Sequence, residues 1–501
     1  MLMKEKNKVS RRGFLGTGAA AAAAITVLPS NTIAGLGHQA PSDKLNIAAV
    51  GIGGMGHGNL KNLSSQNIVG LCDVDWAYAD GCFKEFPGAK KYKDWRVMYD
   101  ELGKSIDGVL VATADHTHAI IASHAITMGK SVYVQKPLTH TVYESRLLTK
   151  LADKYQVASQ MGNQGSSGEG VNLTTEWIAN GEIGEITKVE AFTDRPIWPQ
   201  GISTPVQGQW VPETLDWDLF TGPAKMRPYN AIYHPWNWRG WWAYGTGALG
   251  DMACHILHPV FMGLQLGYPI KAQGNSTLLL QDSAPTAQSV KLTFPARSMP
   301  KNSKVKMPQV EVYWFDGGIK PMLPAAWPAG KNPNDSGGGV FFHGTKGTLV
   351  CGCYGVNPWI LRPDGKVEKP ENAPKFRRRV APLSHEMDWV RAAKESPASR
   401  VKTASDFSQS GPFNEMVVMG VLAVRLQTLN KELEWDGQKM AFTNITADDK
   451  IKIVIEDKFS IHDGHPTFNK TYTEPVPATD FAAELIKHTY RKPWSLPDMP
   501  V

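Results

Sequence analysis

The sequence predicts an α/β chain in which an N-terminal doubly wound parallel sheet is followed by an α+β domain with a large, mainly antiparallel open sheet. Three observations predict it. Between Leu45 and Gln160, short β-rich runs alternate with helical stretches, the pattern of parallel strands joined by crossover helices. After Gly162 the apolar period changes to two. Val290, Leu292 and Phe294 recur at every second position, as do Val310, Val312 and Trp314 ahead of the turn Asp316-Gly317-Gly318. Finally, 501 residues with 42% hydrophobic and 20% charged side chains provide enough apolar material for two or three domains.

Residues 1–40 read as a leader and linker, separate from the fold. Ser10-Arg11-Arg12-Gly13-Phe14-Leu15 precedes an apolar, alanine-rich run that ends at Leu28-Pro29. Paired arginines followed by Gly-Phe-Leu resemble the twin-arginine export motif, whose translocase carries folded proteins, so a periplasmic location is expected. The apolar run of about 14 residues is too short to span a bilayer, and no cysteine lies near residues 30–40, so no stable membrane anchor is expected. Lys4, Lys6, Lys8, Arg11 and Arg12 against Glu5 place +4 of the formal +6 charge in the first twelve residues. The remainder is close to neutral. Its one short basic run, Arg377-Arg378-Arg379, is too small for a nucleic-acid stripe. Five cysteines, odd in number and scattered, argue against a disulfide framework and fit small core residues.

Residues 43–162 form the predicted doubly wound domain, with strands at Leu45–Val50, Ile68–Cys72, Asp107–Ala112, Ser131–Gln135 and Val157–Gln160 and a helix at His118–Met128. Gly51-Ile52-Gly53-Gly54-Met55-Gly56 is a G-x-G-x-x-G fingerprint placed directly after a strand and before a helix. The first glycine permits the tight turn and the second lets backbone approach a pyrophosphate. The third, Gly56, lets helix and strand pack closely while the helix N-terminus faces the phosphates. Asp73 ends the next strand 22 residues after Gly51, where a carboxylate accepts the adenosine ribose hydroxyls and repels a 2′-phosphate. This is a Rossmann domain, with NAD expected rather than NADP. The later strands run out into Ala114-Asp115-His116-Thr117-His118 and Gln135-Lys136-Pro137, on the carboxyl edge where cofactor binds. A lysine at that edge can meet a developing alkoxide at the nicotinamide end.

The fingerprint, the Asp115-His116-Thr117-His118 segment and Lys136-Pro137 together resemble the Gfo/Idh/MocA family of oxidoreductases. Where that family has Glu-Lys-Pro, this chain has Gln135, an amide that can still hydrogen-bond a ribose. The family's second mark is an Asp and a His four residues apart on a helix, matched by Asp251 and His255 within a helix expected over Gly250–Leu266. The resemblance implies His255 as general base or acid, Asp251 as its partner and Lys136 as electrostatic stabiliser. It also implies cofactor contacts from the fingerprint, Asp73, Asp115, His116, His118, Gln135 and Lys136. Assembly through the second-domain sheet into a homo-oligomer is a further implication. A competing reading of Asp251, His255 and His258 is a metal site, since all three share a helix face. No metal is expected at these residues.

Residues 163–430 form the expected substrate domain, with a second long helix over Pro412–Leu429. Seven of the sixteen tryptophans lie between Arg195 and Tyr244: Trp198, Trp210, Trp217, Trp236, Trp238, Trp241 and Trp242. Aromatic faces stack on the C–H faces of sugar rings, which makes Arg195, Trp198, Tyr233, Trp238 and Arg239 candidate substrate contacts. The segment 295–339, rich in Pro, Gly, Lys and Asn, reads as a surface or substrate-side excursion. Residues 431–501 form a C-terminal extension, with a strand expected at Asp448–Ile455, a helix at Phe481–His488 and no chemical role. Together these features predict an exported oxidoreductase with tightly bound NAD, acting on a carbohydrate, cyclitol or glycoside hydroxyl held against the open face of the second sheet. Its rivals are a redox-recycling glycosidase that oxidises and eliminates, and a non-catalytic sugar-binding protein.

Overall fold

The computed structural model describes residues 43–298, 301, 303–333, 335, 337–375 and 384–500; the expected leader and the run Arg377-Arg378-Arg379 lie outside them. The first domain is a six-stranded sheet of β1 (Asn46–Val50), β2 (Asn67–Cys72), β3 (Lys90–Tyr92), β4 (Gly108–Val111), β5 (Ser131–Val134) and β6 (Ser159–Met161). All pairings are parallel, in the order β3-β2-β1-β4-β5-β6. Each residue of β4 and β5 is buried, as expected for strands covered on both faces. Short β3 carries no sequence signal because its two lysines are exposed and only Tyr92 is buried. The helix expected from His118 starts at Asp115, and all but two of its thirteen residues are buried.

The second domain is a ten-stranded sheet of β7 (Ile186–Phe192), β8 (Lys271–Ser276), β9 (Gln288–Phe294), β10 (Val310–Phe315), β11 (Gly339–Gly344), β12 (Gly347–Gly352), β13 (Trp359–Leu361), β14 (Val367–Glu368), β15 (Leu433–Asp436) and β16 (Ala441–Phe442). The order is β14-β13-β12-β11-β7-β10-β9-β8-β15-β16. Only β7 and β10 run parallel; the other neighbours are antiparallel.

The expected helix Gly250–Leu266 is two helices, Gly247–Ile256 and His258–Gly263. Pro259, in the first turn of the second, has no N–H to continue the ladder. The helix expected from Pro412 begins at Phe407, where the Asp406 side chain accepts from Ser408 N, and runs to Arg425. It packs between the helix Val142–Tyr155 and strands β8 and β9, tying the two sheets together. Residues beyond 384 also return to the first domain: Trp389 is fully buried in a cluster with Ile47, Leu71 and Leu110.

In the C-terminal extension the expected strand lies partly in a long hairpin, Val454–His462 with His465–Tyr472, whose residues are largely exposed. The expected helix spans Ala478–Ile486. The chain then runs along the second domain, where Arg491 N donates to Pro223 O, and ends against the first domain, where Lys150 Nζ donates to Pro500 O. All five cysteines are buried and free. Among the described residues no helix is long and apolar enough to cross a membrane.

Candidate active site

A cavity of about 930 Å³ opens between the carboxyl ends of β1, β2, β4 and β5 and a set of second-domain loops and helices. The open sheet face, expected to hold substrate, lies outside this cavity. That face is filled by its own ion pairs, Lys188 with Glu190, His343 with Glu190 and Lys291 with Glu432, and none of these residues lines the cavity. The second domain instead contributes the residues that follow β7, the 234–239 loop, the helix Gly247–Ile256, the residues Asp335 and Gly337, and a short turn at Cys353–Val356.

At one end lies the glycine loop. Gly51 has φ +81°, and a Cβ there would stand 2.6 Å from the Ala112 carbonyl carbon and oxygen. A Cβ on Gly56 would stand 1.9 Å from Gly51 O, which is why the strand and helix can meet so closely. Gly51, Gly53, Gly54 and Met55 line the cavity; Gly56 packs behind them. Asp73 accepts from Ile52 N at 2.8 Å and Gly53 N at 3.1 Å, so its carboxylate braces the loop as well as facing the cavity. Burial pushes its pKa up to about 6 against those hydrogen bonds. A glycine cradle at a helix N-terminus with a carboxylate at the next strand end fits a dinucleotide.

The other end holds the charged residues. Lys136 Nζ donates to Asp251 Oδ1 at 2.8 Å and Asp251 O at 3.1 Å, and Arg239 Nε donates to Asp251 Oδ1 at 3.2 Å. Burial alone would raise the Asp251 carboxyl, but the two cations outweigh it and hold it well below the usual carboxylate range. One turn along the helix, His255 is 5% exposed, with its ring 4.5 Å from the Tyr354 ring and no hydrogen-bond partner at Nδ1. Burial, aided by the Lys136 charge and opposed by Asp251, pushes the imidazole down to about 3, so it is neutral across the physiological range. The Arg239 guanidinium sits between two indoles, 3.9 Å from the Trp236 centroid and 4.2 Å from Trp238. Gln135 donates to Asn59 Oδ1 and accepts from Lys136 N, which positions the lysine backbone.

Among the expected substrate contacts, Arg195, Trp198, Trp238 and Arg239 line the cavity. Tyr233 does not. It is 2% exposed and packs edge-on against Trp241 in an aromatic cluster with Trp217 and Tyr244, so its ring is core. Among the other tryptophans, Trp217, Trp241 and Trp242 are buried and Trp210 is almost fully exposed. Asp115 and His118 are also corrected, since neither lines the cavity. Asp115 accepts from Thr246 N and Oγ1, locking the two domains together, and burial raises it to about 7. His118 bridges Pro137 O and Thr113 O, joining the two loops that flank the cofactor edge. His116 lines the cavity while Nε2 lies 2.9 Å from Phe220 O.

The shared helix face expected for Asp251, His255 and His258 is broken by the kink at Leu257. His258 turns to Gln409 and the Phe413 ring, outside the cavity. Among the described residues no group of three or more His, Cys, Asp and Glu is disposed to hold a metal ion. Sequence reasoning missed Tyr78, which covers Gly53 and Gly54, Tyr354 beside His255, and Trp95 and Trp494 at the glycine-loop end. Isolated aromatics in unrelated segments carry no periodic signal; the positive φ of Tyr354 is visible only in the backbone.

Residues 45–163 match the model described as oxidoreductase family, NAD-binding Rossmann fold, and residues 182–296 match that of the oxidoreductase family, C-terminal alpha/beta domain. The chain is 26% identical over 147 residues to the glucose-6-phosphate 3-dehydrogenase of Bacillus subtilis (strain 168), covering 29% of this chain and 41% of that protein. It is 26% identical over 208 residues to the glycosyl hydrolase family 109 protein of Shewanella pealeana, covering 37% of this chain and 46% of that protein. The match thus spans less than half the length of each of these relatives. The fold is that of the WlbA dehydrogenase from Bordetella pertussis, solved in complex with NADH and UDP-GlcNAcA, with a TM-score of 0.51, 15% identity and coverage of 78% of this chain and 99% of that one. One of these Gfo/Idh/MocA oxidoreductase models lies on the segment that holds the glycine loop and Lys136, and the other on the segment that holds Asp251 and His255, so both ends of the cavity fall in segments similar to that family.

Proposed function

We propose that the protein is an exported oxidoreductase that uses tightly held NAD to take hydride from a hydroxyl-bearing carbon of a carbohydrate, cyclitol or glycoside. The observation that carries this reading is the placement of Lys136, Asp251, Arg239 and His255 at one end of a cavity whose other end is the glycine loop and Asp73. A bound nicotinamide supplies the hydride acceptor. Lys136 offers an ammonium, held in place by Asp251, to the substrate oxygen as negative charge grows on it. Neutral His255 is in the form that takes the hydroxyl proton. Trp198 and Trp238 offer apolar faces to a sugar ring, and Arg239 offers donors to its hydroxyls. The Asp73 carboxylate opposes a 2′-phosphate, which supports NAD over NADP. The Arg11-Arg12 leader supports export to the periplasm, where a tightly held cofactor would need to be recycled in place.

A panel of polyols, sugars and glycosides incubated with NAD tests the reaction. NADH formation from a free hydroxyl substrate supports the dehydrogenase; no NADH from any of them, with purified protein that holds cofactor, argues against it. The similarity to the Shewanella pealeana protein named as a glycosyl hydrolase favours one second reading, transient oxidation and elimination with the hydride returned. That reading predicts aglycone release without net redox change. Export is tested with Arg11→Lys and Arg12→Lys together, which should leave the protein in the cytoplasm.

A further inference from the structure

The last residues of the chain reach the cavity at the end opposite Lys136. Trp494 is 6% exposed, lines the cavity with Asp73, Lys93, Trp95, Thr117 and Ile121, and packs 6.3 Å from Trp95, centroid to centroid. The Arg96 guanidinium lies 4.4 Å from its ring, and its buried Nε1 has no hydrogen-bond partner. The tail is pinned on both sides of this residue. Arg491 donates to Gly222 O at 3.1 and 3.0 Å, to Asp218 Oδ1 at 2.8 Å and to Asp218 O at 3.2 Å. Tyr490 OH donates to Glu144 Oε1 at 2.7 Å, and Pro500 O accepts from Lys150 at 3.1 Å. These bonds all go to side chains and carbonyls of other segments, so the position of Trp494 is imposed from outside the tail.

Resting on the dinucleotide reading, the direction of the ligand follows from the fold. The glycine loop takes the pyrophosphate and Asp73 the adenosine ribose, so the base lies beyond Asp73, away from Lys136. Trp494, Trp95 and Ile121 occupy that side. We infer that the C-terminal tail completes the adenine pocket, with Trp494 as a wall for the purine ring and Arg491 as the anchor that keeps it closed. A flat aromatic base gains stacking and apolar burial from such a wall. The adenosine end cannot leave by that side until the tail lifts, which makes cofactor release slow.

The test uses full-length protein loaded with NADH, with displacement followed by NADH fluorescence. Trp494→Ala should speed NADH dissociation tenfold or more and weaken ADP binding comparably, while nicotinamide mononucleotide binds as before. Trp494→Phe should restore most of the slow release. Arg491→Ala, which alters a residue outside the cavity, should speed release with a smaller effect on ADP. In the unaltered protein, ADP should slow hydrogen exchange across residues 488–498. Unchanged NADH release in both alanine variants, or no protection of the tail by ADP in protein that binds it, overturns the inference and leaves the dinucleotide reading standing. Failure of the unaltered protein to bind either NADH or ADP overturns both.

Discussion

The two ends of the cavity recognise in different ways. At the glycine-loop end, Gly51, Gly53, Gly54 and Met55 come from one short stretch of chain and present backbone beside the Asp73 carboxylate. At the other end, Lys136, Arg239, Asp251 and His255 come from three separate segments and act through side-chain charge. Binding by backbone requires only a local turn, and a turn is written in adjacent residues. Balancing two cations on one buried carboxylate requires the whole tertiary structure. Substitutions should therefore be costly and chemical at the charged end and milder at the loop end.

The largest effect is expected at Asp251. Asp251→Ala leaves Lys136 and Arg239 without their carboxylate, which should abolish turnover and cost about 3–5 kcal/mol of stability, measurable by denaturant unfolding. Retention of wild-type stability would mean the pair is not the structural centre of this end. Lys136→Met should follow, with turnover down about a hundredfold or more, on the order of 3 kcal/mol, while cofactor remains bound. Equal losses of turnover and cofactor affinity would erase the division between the two ends.

At the loop end, Asp73→Ser removes the charge that opposes a 2′-phosphate and should shift the NAD to NADP preference by about tenfold, or ~1.4 kcal/mol, read from the ratio of the two dissociation constants. The interdomain lock titrates differently. Asp115 is raised by burial to about 7 in the folded protein, from an ordinary 3.8. Its contribution to stability is therefore fully present below about pH 4 and is lost as pH rises through 7. Asp115→Asn should flatten the fall in melting temperature between pH 5 and 8; an unaltered slope would show that another group carries it. The smallest effect is expected from Tyr233→Phe, which should leave KM unchanged and alter stability by about 1 kcal/mol or less, since the ring is core.

Much of the loop end was legible because its signals are local: Gly51 to Gly56 between a strand and a helix, and Asp73 at the next strand end. The Asp251 and His255 pair was legible for the same reason, since a spacing of four lies within one helix. Neighbours that only approach on folding were not. Asp115, His118 and Tyr233 are residue types suited to ligands, and only their partners, Thr246, the Thr113 and Pro137 carbonyls and the Trp241 ring, assign them to structure. The kink at Leu257, which separates His258 from His255, was readable in Pro259 but is outweighed by an apolar run that continues through it.

By itself, the sequence determined the two-domain α/β plan, the fingerprint and the identity of the charged residues, because strand period, helix period and turn chemistry act over a few neighbouring residues. Only the tertiary structure decided that the sheet's polar face stays outside the site, that Arg239 shares Asp251 with Lys136, and that Trp494 comes within reach of Asp73 from more than four hundred residues away. Such contacts depend on the summed geometry of many elements, and no short-range pattern in the chain encodes that sum.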